Sequence, residues 1–267
     1  MTINGIDQTP DMLMKRLDGP RVLVGCECSG RVRDAFIARG FDAMSCDLLP
    51  TETPGPHHQG DIFDMLYEPW NLVILHPPCD YLTVSGNAWF SDTAKAAPGI
   101  LTGEARREAR REARRESVEF VKRLFAAPCR RIAIENPVGR LATFWTPSTQ
   151  RIQPWQFWAG TSGTGEVKKT CLWLKGLPKL IPTTPKEPGR HPACWLESPG
   201  KNRKRNRSVT YPGIAAAMAD QWGRVLNATP EGQHRMRLEA MRIRHEHENR
   251  AEGYTGTEEE MSIWRTP

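Results

Sequence analysis

The chain is predicted to be an α/β protein built on a doubly wound, mostly parallel sheet. Short apolar, β-branched runs recur along its first half, helical stretches lie between them, and each run breaks off in polar or turn-forming residues. The first run, 21–26 (RVLVGC), passes through a polar turn at 27–30 into an amphipathic helix that ends at Gly40. A second, 43–46, ends at Asp47, and a loop rich in proline and histidine then leads to Gly60, Asp61 and Ile62. Further strands are expected at 72–75 and 130–134, with a late one at 170–174 (TCLWL).

Between the last two parallel strands, 104–125 is rich in strong helix formers and lacks Gly and Pro. Its four-residue repeat sets Glu104, Glu108, Glu112 and Glu116 three and four residues from arginines, the spacing of a self-stabilised surface helix; phosphate contact by those arginines is the functional alternative. The expected organisation is an N-terminal arm (1–20), a core (21–140), and an irregular Trp-, Pro- and Gly-rich region (141–207) that includes the late strand near 168–175. A helix opened by Pro-Gly (208–226) returns to the core, and a charged tail (227–267) follows, partly helical around 231–248.

The 267 residues are 39% hydrophobic and 25% charged, enough for one large core carrying a smaller appendage. No apolar run is long enough to span a bilayer and no charged-then-apolar leader opens the chain, so a monomeric, cytoplasmic protein without a membrane partner is expected. Seven cysteines, an odd number with no CxxC pair, argue against a disulfide framework or a zinc ribbon, and no metal site is expected. The net charge of +6 gathers at 201–207 (KNRKRNR) and on the long helix, which points to a polyanionic partner.

The stretch 72–86 (LVILHPPCDYLTVSG) carries the chemistry. Paired prolines cannot continue a ladder, so Cys79 falls just beyond the carboxyl end of a buried strand, where open α/β sheets bind ligands. Residues 132–137 (IAIENP) form another apolar run ending in an acid, Glu135, at the same sheet edge. A nucleophile and a carboxylic acid thus face one crevice.

These residues resemble the DNA cytosine-5 methyltransferases. That family carries a Pro-Pro-Cys loop with a later Ser-Gly, here Cys79, Ser85 and Gly86, and a Glu-Asn-Val strand end, here Glu135, Asn136 and Pro137. Its Gly-rich first motif is similar to 25–30 (GCECSG), its acid after the second strand to Asp47, its Asp-Ile to Asp61 and Ile62, and its late turn to 212–215. The resemblance, in order along 22–226, implies a class I, Rossmann-like fold and S-adenosylmethionine as cofactor. Cys79 would add to cytosine C6 and Glu135 would assist at N3. Cofactor contacts would come from Gly25, Cys26, Glu27, Ser29, Gly30, Asp47, Leu48, Asp61, Ile62, Pro78 and Gly213, with Asp47 holding the ribose hydroxyls and Asp61 the adenine amino group.

The target base would be flipped out of double-stranded DNA, with Ser85 and Gly86 closing over it and Lys168, Lys201, Arg203, Lys204, Arg205 and Arg207 on the DNA. Three departures stand out. The aromatic of the first motif is missing, His76 precedes the prolines, and the family's Gln-x-Arg-x-Arg strand has no clean counterpart; Lys168 and a catalytic Lys169 are the nearest candidates, with Gln150 and Arg151 as an alternative. The recognition region is short, as in phage-like enzymes of this type, and implies a very short target. An amino-group methyltransferase and a catalytically idle DNA-binding protein of the same fold are the alternatives.

Overall fold

The apolar runs pair side by side in the computed structural model, which describes residues 2–3, 6–7, 19–90, 103–157, 165–184, 190–235 and 238. Seven strands form the central sheet: β1 (Arg21–Gly25), β2 (Asp42–Asp47), β3 (His57–Gln59), β4 (Leu72–Leu75), β5 (Ile132–Pro137), β6 (Gln150–Ile152) and β7 (Thr170–Lys175). Their order is β3-β2-β1-β4-β5-β7-β6. The first five are parallel, and β7 runs antiparallel to both β5 and β6. The strand order reverses between β1 and β4, so a crevice opens there beyond the carboxyl ends.

Helices cover both faces: α1 (Arg31–Ile37), α2 (Ile62–Leu66), α3 (Gly103–Phe125), α4 (Leu141–Phe144), α5 (Ala193–Leu196), α6 (Arg203–Ser208) and α7 (Pro212–Asn227). The period of two along each strand decides which helix it meets. Val22, Val24, Leu72, Ile74, Ala133 and Leu172 pack with Val32 and Phe36 of α1 and with Ile214, Met218 and Trp222 of α7. Leu23, Val73, Leu75, Ile132, Ile134 and Trp173 pack with Ile62 and Leu66 of α2 and with Val118, Val121 and Leu124 of α3. The protein is therefore a three-layer α/β structure with a mostly parallel mixed sheet.

Several boundaries differ from the expectation. β5 starts at Ile132 and runs on through Pro137, because Thr170 of antiparallel β7 pairs opposite that proline. The Pro- and His-rich loop contains an edge strand, β3, and the basic end of the region expected to be irregular forms α6. Helix α1 stops at Ile37, short of Gly40, whose left-handed backbone (φ 77°) ends the following turn. Of the expected arm, Thr2–Ile3 and Ile6–Asp7 pair as a ribbon; 8–18 and the tail from 239 on lie outside the described residues. Among the described residues no helix is long and apolar enough to cross a membrane.

Arg33 of α1 is wholly buried and knots the site's loops together. Its guanidinium pairs with Asp34 at 2.8 Å and donates to Ser45 Oγ (3.0 Å), Thr51 Oγ1 (3.1 Å), Thr53 Oγ1 (2.8 Å) and the Thr53 carbonyl (3.1 Å). The Gly55 backbone passes so close that a Cβ there would lie 2.6 Å from Arg33 Cζ. The loop after β2 is thus wrapped around one charge, and its Glu52 N–H bonds the Cys28 carbonyl at 2.8 Å in the loop after β1. Replacing Arg33 with Ala strands several buried acceptors at once. Urea unfolding should show a loss of about 3 kcal/mol for Arg33→Ala with little recovery in Arg33→Lys, whose ammonium lacks the fork; a loss under about 1 kcal/mol would show that the knot is not structural.

Candidate active site

Three parallel strand ends stand level at the crevice, since Gly25 lies opposite Leu75 and Leu75 opposite Ile134. The next residues on β4 and β5 are His76 and Glu135. They project to the same face, because Ile74 and Ala133, two positions earlier, both pack toward α7. His76 Nδ1 lies 3.4 Å from Glu135 Oε2, with side chains 8% and 15% exposed. Asn136 then turns inward and donates through Nδ2 to the Pro77 carbonyl at 3.0 Å, which ties the proline turn to β5.

Cys79 follows that turn and is partly buried. Its carbonyl accepts from Leu82 N (3.0 Å) and Thr83 N (3.1 Å). Thr83 bridges Gly139, Arg140 N bonds the Leu82 carbonyl at 2.7 Å, and a Cβ at Gly139 would collide with that carbonyl, so only glycine lets the Cys79 loop lie against the exit of β5. Burial pushes the Cys79 thiol up, Asp80 and Glu135 add to this, and Lys168 pulls it down. For Glu135, burial raises the carboxyl, but the His76 hydrogen bond, the charges of His76 and Lys168 and a hydrogen bond from Thr170 outweigh it, so its net shift is downward.

Lys168, two residues before Thr170 and on the same face, thus acts on both Cys79 and Glu135, and its Nζ lies 5.7 Å from the Tyr211 ring. Lys169 is exposed. Lys168 is thus the lysine whose charge reaches both groups, and it lies just before β7. Gln150 and Arg151 lie on β6, beyond β7 from this pair, and Gln150 bonds Leu180.

At the β1 end, Cys26 takes a left-handed backbone (φ 57°), which is uncommon for a residue with a Cβ. Glu27 is buried and folded onto its own loop, accepting from Ser29 Oγ and, at 3.2 Å, from Gly30 N. The two glycines expected to admit a cofactor have packing reasons of their own. A Cβ at Gly25 would meet Ile62 and lie 2.6 Å from Leu75, and one at Gly30 (φ 75°) would meet Thr53 and Arg33. Ile62 is likewise a core residue, 5% exposed.

Groups suited to an adenosine are nonetheless present at this rim. Asp47 ends β2 with Oδ1 on Leu49 N at 2.9 Å, Asp61 caps α2 through Phe63 N at 3.0 Å, and Leu48 is 74% exposed between them. Burial and the nearby acids, Asp47 foremost, push the thiols of Cys28 to about 11 and Cys46 to about 12. Pro78 is exposed and Gly213 sits in the first turn of α7, joined to α1 through Arg31 and the Thr210 carbonyl at 3.0 Å.

The basic segment folds across this crevice. Lys204 of α6 pairs with Asp80, the residue after Cys79, at 2.9 Å, and Arg205 pairs with Glu52 in the loop after β2. Arg203 is tied to the Glu197 carbonyl, Arg207 is partly buried, and Lys201 is exposed. Gly86 N bonds Thr83 Oγ1 at 3.1 Å; the side chain of Ser85 lies outside the described residues.

Sequence reasoning missed the role of α3. Its arginines form two columns: Arg107, Arg111 and Arg115 pair with Glu104, Glu108 and Glu112, while Arg110 and Arg114 face the nucleophile loop. Arg114 donates to the Tyr81 carbonyl (2.8 Å) and Asn87 Oδ1 (3.0 Å) and stacks on Phe90, and Arg110 covers Tyr81 and Phe90. The signal was the i,i+4 column itself, which the glutamate pairing obscured.

No model of a known protein family matches the chain, and no curated protein sequence matches it. Among the described residues no cluster of three His, Cys, Asp or Glu side chains is arranged to hold a metal ion. The local charges make one direct forecast. Alkylation of Cys79 by iodoacetamide, followed by peptide mass mapping, should rise with pH through a midpoint above that of a free cysteine. Lys168→Met should move that midpoint higher and Asp80→Asn lower; the reverse order would refute this electrostatic picture.

Proposed function

We propose that the protein is a DNA cytosine-5 methyltransferase. The observation that carries this reading is the convergence of Cys79 and Glu135 at neighbouring strand ends, with Lys168 acting on both. Cytosine C5 is a poor nucleophile, and addition of a thiolate at C6 activates it. The residues at the rim fit the cofactor: Asp47 would hold the ribose hydroxyls, Asp61 the adenine amino group, and exposed Leu48 would cover the ring. When bound, S-adenosylmethionine supplies an electrophilic methyl group.

Cys79 gives its proton to solvent and the thiolate forms the sulfur–C6 bond while Glu135, in its acid form, passes its proton to N3 of the flipped base and becomes a carboxylate. Arrival of the base desolvates Glu135 and raises its pKa toward that task. Once C5 has been methylated, loss of its proton to solvent lets the sulfur–C6 bond break and restores the ring. Lys168, opposite both groups, steadies the thiolate as it forms and leaves. Arg110 and Arg114 hold the nucleophile loop in shape, and α6 offers Lys204 and Arg205 to the DNA backbone.

Duplex DNA containing 5-fluorocytosine, incubated with the protein and S-adenosylmethionine, should give a covalent complex that survives denaturation and is absent in Cys79→Ala. On ordinary DNA, Glu135→Gln should slow transfer by about 10²-fold or more. Methylation that persists in Cys79→Ala, or a product methylated on an exocyclic amine, would overturn the reading. Binding of DNA should weaken steeply with salt, and Lys204→Ala combined with Arg205→Ala should lower the log–log slope by about two, as expected when two phosphate contacts are lost.

A further inference from the structure

His76 is a buried imidazole in a position where the chain needs only a strand end. Its backbone N–H already bonds the Gly25 carbonyl at 2.9 Å, so the strand register does not require its side chain. Glu135, 3.4 Å from Nδ1, is the one side-chain partner of the ring among the described residues, and Nε2 is buried without a hydrogen-bond partner. Burying a polar ring atom unpaired is unfavourable, and a leucine or valine here would continue the apolar face of Leu72 and Ile74.

An ionised carboxylate only accepts hydrogen bonds, so Nδ1 carries the proton of the contact. The groups facing Glu135 are His76 after β4, Lys168 and Thr170 at the start of β7, and Cys79 in the nucleophile loop. Those facing Cys79 are Asp80, Glu135 and Lys168. Of the four around Glu135, His76 lies on the neighbouring parallel strand, one step past the Leu75–Ile134 pair, and is as rigidly placed as the sheet itself.

We propose that His76 is a positioning residue for Glu135: by donating Nδ1–H to Oε2 it fixes the plane of the carboxyl group and sets its acid strength. The proposal rests on the methyltransferase reading for its catalytic meaning, in which Glu135 shares its proton with cytosine N3. An acid held strong gives up that proton readily as the thiolate adds, and the His76 donor then stabilises the carboxylate left behind. No proton leaves the imidazole, so the pair ends each cycle as it began.

The sign of the effect is fixed. A donor to the carboxylate lowers the folded pKa of Glu135, so removing His76 raises it. Carbon-13 titration of the Glu135 carboxyl in the full-length protein, assigned with Glu135→Gln, should therefore show a midpoint higher by about one pH unit or more in His76→Leu. His76→Gln, which keeps a neutral donor, should recover part of the difference, and it carries the same test if His76→Leu does not fold. Because activity needs the acid form, the falling alkaline limb of kcat should move to higher pH in His76→Leu, with kcat reduced and KM for DNA nearly unchanged.

A folded variant with an unmoved midpoint overturns the proposal, as does methyl transfer by the wild type with an alkaline limb that stays in place or moves down in His76→Leu. The titration needs no substrate. A shifted midpoint in a protein that transfers no methyl group would sink the methyltransferase reading and still support the hold of His76 on Glu135.

Discussion

The register of three parallel strands is the constraint on which the site depends. With Gly25, Leu75 and Ile134 hydrogen-bonded into one row, the residues that follow them emerge side by side. A slip of one residue in β4 or β5 would turn His76 or Glu135 to the opposite face and separate them. The buried alternation prevents such a slip, because Ile74 and Ala133 would have to exchange places with Leu75 and Ile134, trading the α7 side of the sheet for the α3 side. Core packing and site geometry are therefore one requirement.

The loops beyond that row are held by charges rather than by apolar contact. Arg33 gathers the loop after β2 from beneath, and Arg114 and Arg110 grip the loop after β4 from the side. Guanidinium suits both tasks. Its flat fork satisfies several carbonyls and hydroxyls at once, and its face stacks on Phe90 while its edges reach Tyr81 and Asn87. Burial, first of all, and the neighbouring charges of Arg140 and Arg110 lower the pKa of Arg114 beside the Cys79 loop.

The strands, their polar ends and the opposition of Cys79 and Glu135 were legible because period-two burial and proline breaks are local signals. What escaped was set by distant partners. The space a side chain at Gly25 or Gly30 would need is taken by Ile62, Leu75, Thr53 and Arg33, all but Arg33 far off in sequence. The ion pairs of the 201–207 segment were not legible because its partners, Glu52 and Asp80, are remote in sequence.

Under the methyltransferase reading, those partners bear on how a basic segment could both close a crevice and meet DNA. The Lys204–Asp80 and Arg205–Glu52 pairs are largely solvated on the basic side, with side chains 80% and 57% exposed, and pairs of that kind contribute under about 1 kcal/mol. A phosphate offers the same cations a comparable partner and releases counterions as well, so exchange of carboxylate for phosphate is favourable at low salt and nearly neutral at high salt. Under the methyltransferase reading, the exchange also frees Asp80, next to the nucleophile. Asp80 raises the Cys79 thiol, so uncovering its charge works against thiolate formation until the base itself and Lys168 offset it.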